Sequence, residues 1–339
     1  DENLDINGDL TIEESTLDAD GYNINIAGNW LNDEGTFNAN ENAVTFDDTG
    51  TQNITSGGSS FYNLDIANTS SDTVYLQDAL DVQGDLTIEE DSTLDADGYS
   101  ITIAGDWTNN GTFTSGESTV TFDGEGEQAI SGTNTFYNVT INNRSSGTVS
   151  FTGPTTIAGL TVDGPDAYSI SFTGSSNTFT NAVTFSNTGG LTLGDEATDD
   201  ILFNGGVDTE SNAVNMAGTV RTNGTMTFGA VTLTGLVILN SNGNDIEIAS
   251  LTGGQDLILD ADIGPGTTTV TGNVTDLGDG TGAAITINST GVTDFKGEVT
   301  TTSGITQANG AGRVIFREDV SVGAGDTPST FNANVRLSG

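Results

Sequence analysis

Apolar residues along this chain come in pairs separated by one polar residue, as in Leu10/Ile12, Ile24/Ile26, Val44/Phe46, Leu64/Ile66 and Val74/Leu76. A period of two is the strand signature, with one face buried and the other wet. The runs are about three to six residues long and are bounded by Gly, Asn, Asp and Ser, the residues of turns. No window carries a helical period. The pattern predicts an all-β chain of many short strands.

The pattern also repeats. "LDINGDLTIEESTLDADGYNINIAGNW" (Leu4–Trp30) returns as "LDVQGDLTIEEDSTLDADGYSITIAGDW" (Leu80–Trp107). The match continues through "GTF" at Gly35 and Gly111, "VTFD" at Val44 and Val120, and "FYN" at Phe61 and Phe136. The period is about 76 residues, and its one-residue slips fall in polar segments, as expected of loops between fixed elements. Residues 1–150 thus hold two copies of the repeat. Over 151–339 the repeat degenerates but the pairing persists, in "LTVDG" (Leu160), "AVTFSN" (Ala182), "DIEIAS" (Asp245) and "AITINS" (Ala284). No linker separates the two stretches, which reads as one continuous array.

Short strands with a single apolar face need stacking to make a core. A membrane barrel requires strands of roughly nine to eleven residues with an apolar outer band, and a sandwich does not explain a pattern that runs on without a boundary. A parallel β-solenoid, or β-helix, accounts for both, because each coil sets its Val, Ile, Leu and Phe above those of the coil before. Four coils per repeat give roughly 19–20 residues per coil. The whole chain then makes roughly 17 coils, a rod of about 80 Å at about 4.8 Å per coil. Right-handed winding is expected from the handedness of parallel crossovers.

Composition narrows the chemistry. The chain has 339 residues with 46 Gly, no Cys, no His, and six basic residues against 48 acidic ones. The formal charge of −42 repels duplex nucleic acid and anionic membrane surfaces and attracts cations. Without Cys or His there is no disulfide, no thiolate or imidazole catalysis, and no Cys- or His-ligated metal. The remaining ligands are oxygens, which favour calcium. No apolar run is long enough for a membrane helix. The opening "DENLDINGDL" has neither a basic region nor an apolar signal core, and both ends read as cuts through a longer pattern.

The stretch "GDLTIEESTLDADGYNINIAGNWLNDEGTF", with the later "VTFDDTGTQNITSGGSSFYNLDI", "DDILFNGGVDTESNAVNMAGTVRTNGTMTFGAVTLTG" and "GQDLILDADIG", resembles repeat regions of large secreted bacterial surface proteins related to filamentous haemagglutinin-type adhesins and autotransporter passengers. The resemblance covers most of the chain and is one of composition and rhythm. It implies right-handed β-helices, export, and a role in adhesion or extracellular structure.

The repeated "LDADGY" places Asp18 and Asp20, then Asp95 and Asp97, beside a glycine. Two carboxylates at a turn suit calcium, and stacked coils could share ions. Against this, the spacing lacks the third ligand of an EF-hand and is not the β-roll nonapeptide. The competing reading is a polar turn in which Gly21 or Gly98 takes a positive φ. "DLGDGTG" (Asp276–Gly282) reads as a loop on the same grounds. Acid pairs such as Asp199/Asp200 and Glu318/Asp319 suggest a glycosidase, but neighbours in a strand point to opposite faces and do not make a catalytic pair. A regular Thr-x-Thr row would make a water-ordering surface, but the outward positions mix Thr, Asn, Asp and Ser. Trp30, Trp107, Tyr22, Tyr99, Tyr62 and Tyr137 recur at equivalent places, as glycan platforms or, more often, as core.

These readings converge on a non-enzymatic, extracellular β-solenoid at the cell surface. It would be a structural element self-associating head to tail through its uncapped ends. The alternatives are an adhesin for a glycan or protein ligand, with the solenoid as stalk, and, third, a polysaccharide-cleaving β-helix enzyme.

Overall fold

The computed structural model describes residues 3–68, 72–142, 145–164, 166–209, 212–261, 264–325 and 327–337. The described residues are strands, turns and bends, with no helix. The strands pair in parallel, coil upon coil, so the protein is a parallel β-solenoid as the alternating pattern predicts. The chain divides into two compact units, Asp1–Asp163 and Gly164–Gly339.

In the first unit the coils present three faces, most of them built from short strands, with the Phe61 bridge alone on the third face of one coil and Asn134–Ile141 and Thr155–Val162 running unbroken across two faces. The opening coil consists of Leu4–Ile6, Leu10–Glu13 and Thr16–Asp18 on the first, second and third faces. The next consists of Ile24–Ile26, Trp30–Asp33 and Thr36–Asn38. On the first face one ladder climbs through Leu4, Ile24, Val44, Leu64, Leu86, Trp107, Ile130 and Phe151. Its intervals are 20, 20, 20, 22, 21, 23 and 21 residues. On the third face Phe61 bridges to Val82, which continues through Ile103, Phe122, Ile141 and Val162. These inward residues are almost wholly buried, Leu4 excepted, and each contributes roughly 1.5–3 kcal/mol by leaving water.

The repeat does not close on four coils. Leu4 stands on the first face, but its counterpart Leu80 stands on the third, in register with Ile101, Val120, Val139 and Leu160. Counted from the strand of Leu4 up to the strand before Leu80, the repeat holds ten strands and the Phe61 bridge, eleven strand positions in all. At three positions per coil that is three coils and two further strands, so each copy is turned by one face relative to the last.

The turned environments are nevertheless alike. Trp30 lies 4.7 Å from Phe37 and 5.1 Å from Phe61 between ring centroids. Trp107 lies 4.8 Å from Phe113 and 5.4 Å from Phe136. Gln52 Nε2 donates to the carbonyls of Ile26 and Gly28 at 2.8 and 2.7 Å. Its counterpart Gln128 does so to Ile103 and Gly105 at 2.9 and 2.6 Å. These buried amides add a second donor to the Ile26 and Ile103 carbonyls, which also accept the Asp47 and Asp123 N–H groups, and reach the Gly28 and Gly105 carbonyls at the corner.

The second unit keeps the principle with less regular spacing. Its ladder runs Ile170, Leu191, Val214, Val231, Leu251, Val274, Val299 and Val320, at intervals of 21, 23, 17, 20, 23, 25 and 21 residues. The shortest coil falls where Val214–Thr222 and Met226–Asn240 run through corners as long unbroken strands.

Candidate functional site

The two "LDADGY" segments are corners with the same construction. The Asp20 N–H donates to Asp18 Oδ1 at 3.0 Å and the Tyr22 N–H to the Ala19 carbonyl at 2.8 Å. In the second copy the Asp97 N–H donates to Asp95 Oδ1 at 2.8 Å and the Tyr99 N–H to the Ala96 carbonyl at 2.8 Å. Asp20 and Gly21 have φ of 43° and 89°, Asp97 and Gly98 of 47° and 84°. Two successive positive φ values closed by an i to i+3 bond define a type I′ turn, for which Asp-Gly is a preferred pair. Ala19 and Ala96 are buried at the bend, while Tyr22 and Tyr99 are 51% and 40% exposed.

Asn240–Asn244 builds the same corner without a carboxylate. The Asn242 N–H donates to Asn240 Oδ1 at 2.9 Å, the Asn244 N–H to the Ser241 carbonyl at 3.0 Å, and Asn242 and Gly243 have φ of 48° and 82°. An amide oxygen therefore serves the turn as well as a carboxylate does. The corner accounts for the position of these side chains and leaves their charge unexplained.

The corners do not stack on one another. Asp18 lies in register with Asn38 and accepts a hydrogen bond from Asn40 Nδ2. Asp95 lies between Tyr75 and Thr114. The first corner joins the third face to the first, the second joins the second face to the third, so ions are not shared between the two. Asp95 and Asp97 line a groove of about 400 Å³ with Thr114, Gly116 and Glu117. Glu13, Glu14, Asp33 and Glu34 line another of about 480 Å³. Among the described residues no group of three or more acidic side chains could hold a metal ion.

Burial, then the nearby charge of Glu89, raises the carboxyl of Asp65 above its ordinary value. Burial and Asp5 do the same for Asp47. Of the segment expected as a loop, Asp276 and Leu277 end the strand Val274–Leu277, with Leu277 buried, and the loop covers 278–282; in it Asp279 Oδ1 accepts from the Thr281 N–H and hydroxyl, both at 2.7 Å. These bonds lower the Asp279 carboxyl.

The acid pair Asp199/Asp200 splits, Asp200 opening the strand Asp200–Phe203 and Asp199 lying just before it. Asp199 is buried and accepts the N–H groups of Asp195 and Glu196, each at 3.0 Å, while Asp200 pairs with Arg221 on the outside. Trp30 and Trp107 are core residues, and Tyr22, Tyr99 and Tyr137 are exposed.

One row was not visible in the sequence. On the third face of the first unit Thr102, Thr121, Thr140 and Thr161 stack outward in four consecutive coils. The neighbouring row, Thr119, Asn138 and Gly159, does not match it, so the doubled threonine array of a water-ordering surface is not formed there. The signal was the triplet apolar-Thr-apolar at 101–103, 120–122, 139–141 and 160–162, masked by unequal spacing.

No protein-family model matches the chain, and neither any curated protein nor any solved structure shows significant similarity to it.

Proposed function

We propose that this protein is a non-enzymatic extracellular structural element whose solenoid coils extend by pairing with coils of another copy into a surface filament or matrix. The observation that carries this reading is the parallel register of coil on coil: Leu4, Ile24, Val44 and Leu64 stand one above another, and each coil offers the next the same kind of strand edge and apolar floor, the template that a coil of another copy fills. Head-to-tail contact of this kind generates open filaments and not closed rings. The resemblance of the repeats to secreted surface proteins supports an extracellular location. Electron microscopy of the purified protein tests the proposal: filaments one solenoid wide are expected, and strictly monodisperse short particles, with and without calcium, would sink it.

A second reading rests on exposed Tyr22, Tyr99 and Tyr137, which suit a glycan or protein ligand on a solenoid stalk. A glycan-array screen with Tyr-to-Ala variants separates the two readings.

A further inference from the structure

Four of the six basic residues of the chain, Lys296, Arg313, Arg317 and Arg336, meet on one face of the second unit. Arg313 and Arg317 flank the strand Val314–Phe316. Lys296 lies one coil below Arg317, since each follows one member of the Phe295–Phe316 pair. Arg336 lies one coil above Ile315, between the two flanking arginines. All four are exposed. Arg317 Nε donates to Asp294 Oδ1 at 2.8 Å and its Nη2 to Oδ2 at 2.7 Å. Among the described residues Lys296, Arg313 and Arg336 have no ion-pair partner.

The first face of the first unit carries the opposite charge in a matching layout. Asp85 and Glu89 flank the strand Leu86–Ile88 as Arg313 and Arg317 flank theirs. Asp65, in register with Thr87, lies between them and one coil below. Burial, then the charges of Glu89 and Asp85, raises the Asp65 carboxyl, a crowding that a facing cation relieves. In sequence this unit has one basic residue, Arg144, so its acids outnumber the cations that could neutralise them.

We infer that the basic face of the second unit docks side by side on the acidic first face of the first unit in another copy of this chain, the two solenoid axes running antiparallel. Turning one face end for end over the other sets Arg313 opposite Asp85, Arg317 opposite Glu89 and Arg336 opposite Asp65, because both sets share the coil spacing of about 4.8 Å. Asp294, the carboxylate within the basic face, then falls opposite Thr108, which stands one coil above Thr87. Repulsion between two chains of net charge −42 is screened beyond about 8 Å at physiological ionic strength, so the groups in contact decide the outcome. A flexible anionic polysaccharide would meet the same cations but has no carboxylates fixed at this spacing. The contact is lateral and stands whether or not copies join end to end.

Lys296 is the only lysine of the chain, which makes the contact traceable. Unlabelled and heavy-isotope-labelled protein are mixed in equal amounts and treated with a carbodiimide, which joins an amine to a carboxylate touching it. Mass spectrometry then identifies peptides cross-linked between a light and a heavy chain. The expected product joins Lys296 to Glu89, which lies one coil from the position facing it. Arg313→Glu should lower its yield several-fold, and adding Asp85→Arg to the same chain should restore it, since the swap rebuilds the facing pair with its charges exchanged. Both positions are exposed, so neither change disturbs the core. The inference is overturned if no light–heavy product forms, if Lys296 joins acids away from the first face, or if Arg313→Glu leaves the yield unchanged or Asp85→Arg fails to restore it. Retention of the parent on an anionic polysaccharide, with no light–heavy product, would assign the four cations to a sugar instead.

Discussion

Leu4 and Leu80 open the same phrase, yet Leu4 lies in register with Ile24 on the first face and Leu80 with Ile101 on the third. The phrase is read identically in both places because each inward residue needs only an apolar neighbour one coil away. A solenoid core is a nearest-neighbour object, so a repeat of eleven strands folds as readily as one of twelve.

The aromatic clusters anchor this arrangement. Trp107 is fully buried, and its Nε1 donates to Asn134 Oδ1 at 2.8 Å. Trp107→Ala is expected to destabilise the first unit by about 3–5 kcal/mol, through lost contacts and a cavity. Trp107→Phe should cost less, since Asn109 Nδ2 at 3.2 Å remains as a donor to Asn134 Oδ1. The chain has two tryptophans, so the fluorescence of Trp30 reports urea unfolding in either variant. A midpoint unchanged by Trp107→Ala would mean that the cluster does not hold the coils together.

Two glycines separate backbone strain from crowding. Gly98 has φ +84° with open space around a Cβ, so Gly98→Ala should cost about 1–2 kcal/mol for the left-handed conformation alone. Gly132 has φ +81°, and a Cβ there would sit 1.8 Å from the Asn109 carbonyl oxygen in the coil below. Gly132→Ala should therefore lose at least twice as much, measured as the difference in urea midpoint. Equal losses would show that neighbouring coils yield easily.

Strand type and stacking were legible because alternation is local: Ile24 and Ile26, or Val44 and Phe46, declare a buried face without any knowledge of their partners. Parallel stacking followed from the repetition. The three-faced coil was not legible, because counting residues cannot reveal that Phe61 bridges to Val82 while Leu64 pairs with Leu86. The Asp20-Gly21 turn could be read, since its positive φ values follow from residue type. What lies above it could not, and whether acids of two coils meet is decided by register alone.

The corner aspartates yield a prediction about charge. Since Asn242 holds the same turn, Asp20→Asn and Asp97→Asn should each change stability by less than about 0.5 kcal/mol, as at most surface sites. Calcium that screens or binds the acids of native coils stabilises them by linkage. Adding a chelator at low salt should then lower the melting temperature, and the Asp20→Asn/Asp97→Asn protein should shift less than the parent if these corners hold the ion. No shift on chelation would remove calcium from the account of this fold.

Acidification should stabilise this protein at first. The carboxyls of Asp47, Asp65 and Asp256 are raised above their ordinary value near 3.8, in each case chiefly by burial. Between that value and the raised one, the folded chain holds more protons than the unfolded chain, so stability falls as pH rises through the window. These groups therefore stabilise the fold fully below their unfolded values and lose that contribution toward neutral pH. Loss of negative charge from a chain of net charge −42 acts in the same direction. Asp279, held low by Thr281, works the opposite way but is fully exposed, where solvent screens its effect. The expected urea midpoint thus rises as pH is lowered from 7 toward 4. Asp65→Asn should flatten part of that rise, because an amide cannot titrate. A midpoint that falls steadily from pH 7 downward would show that the buried carboxyls do not govern the pH dependence of this fold.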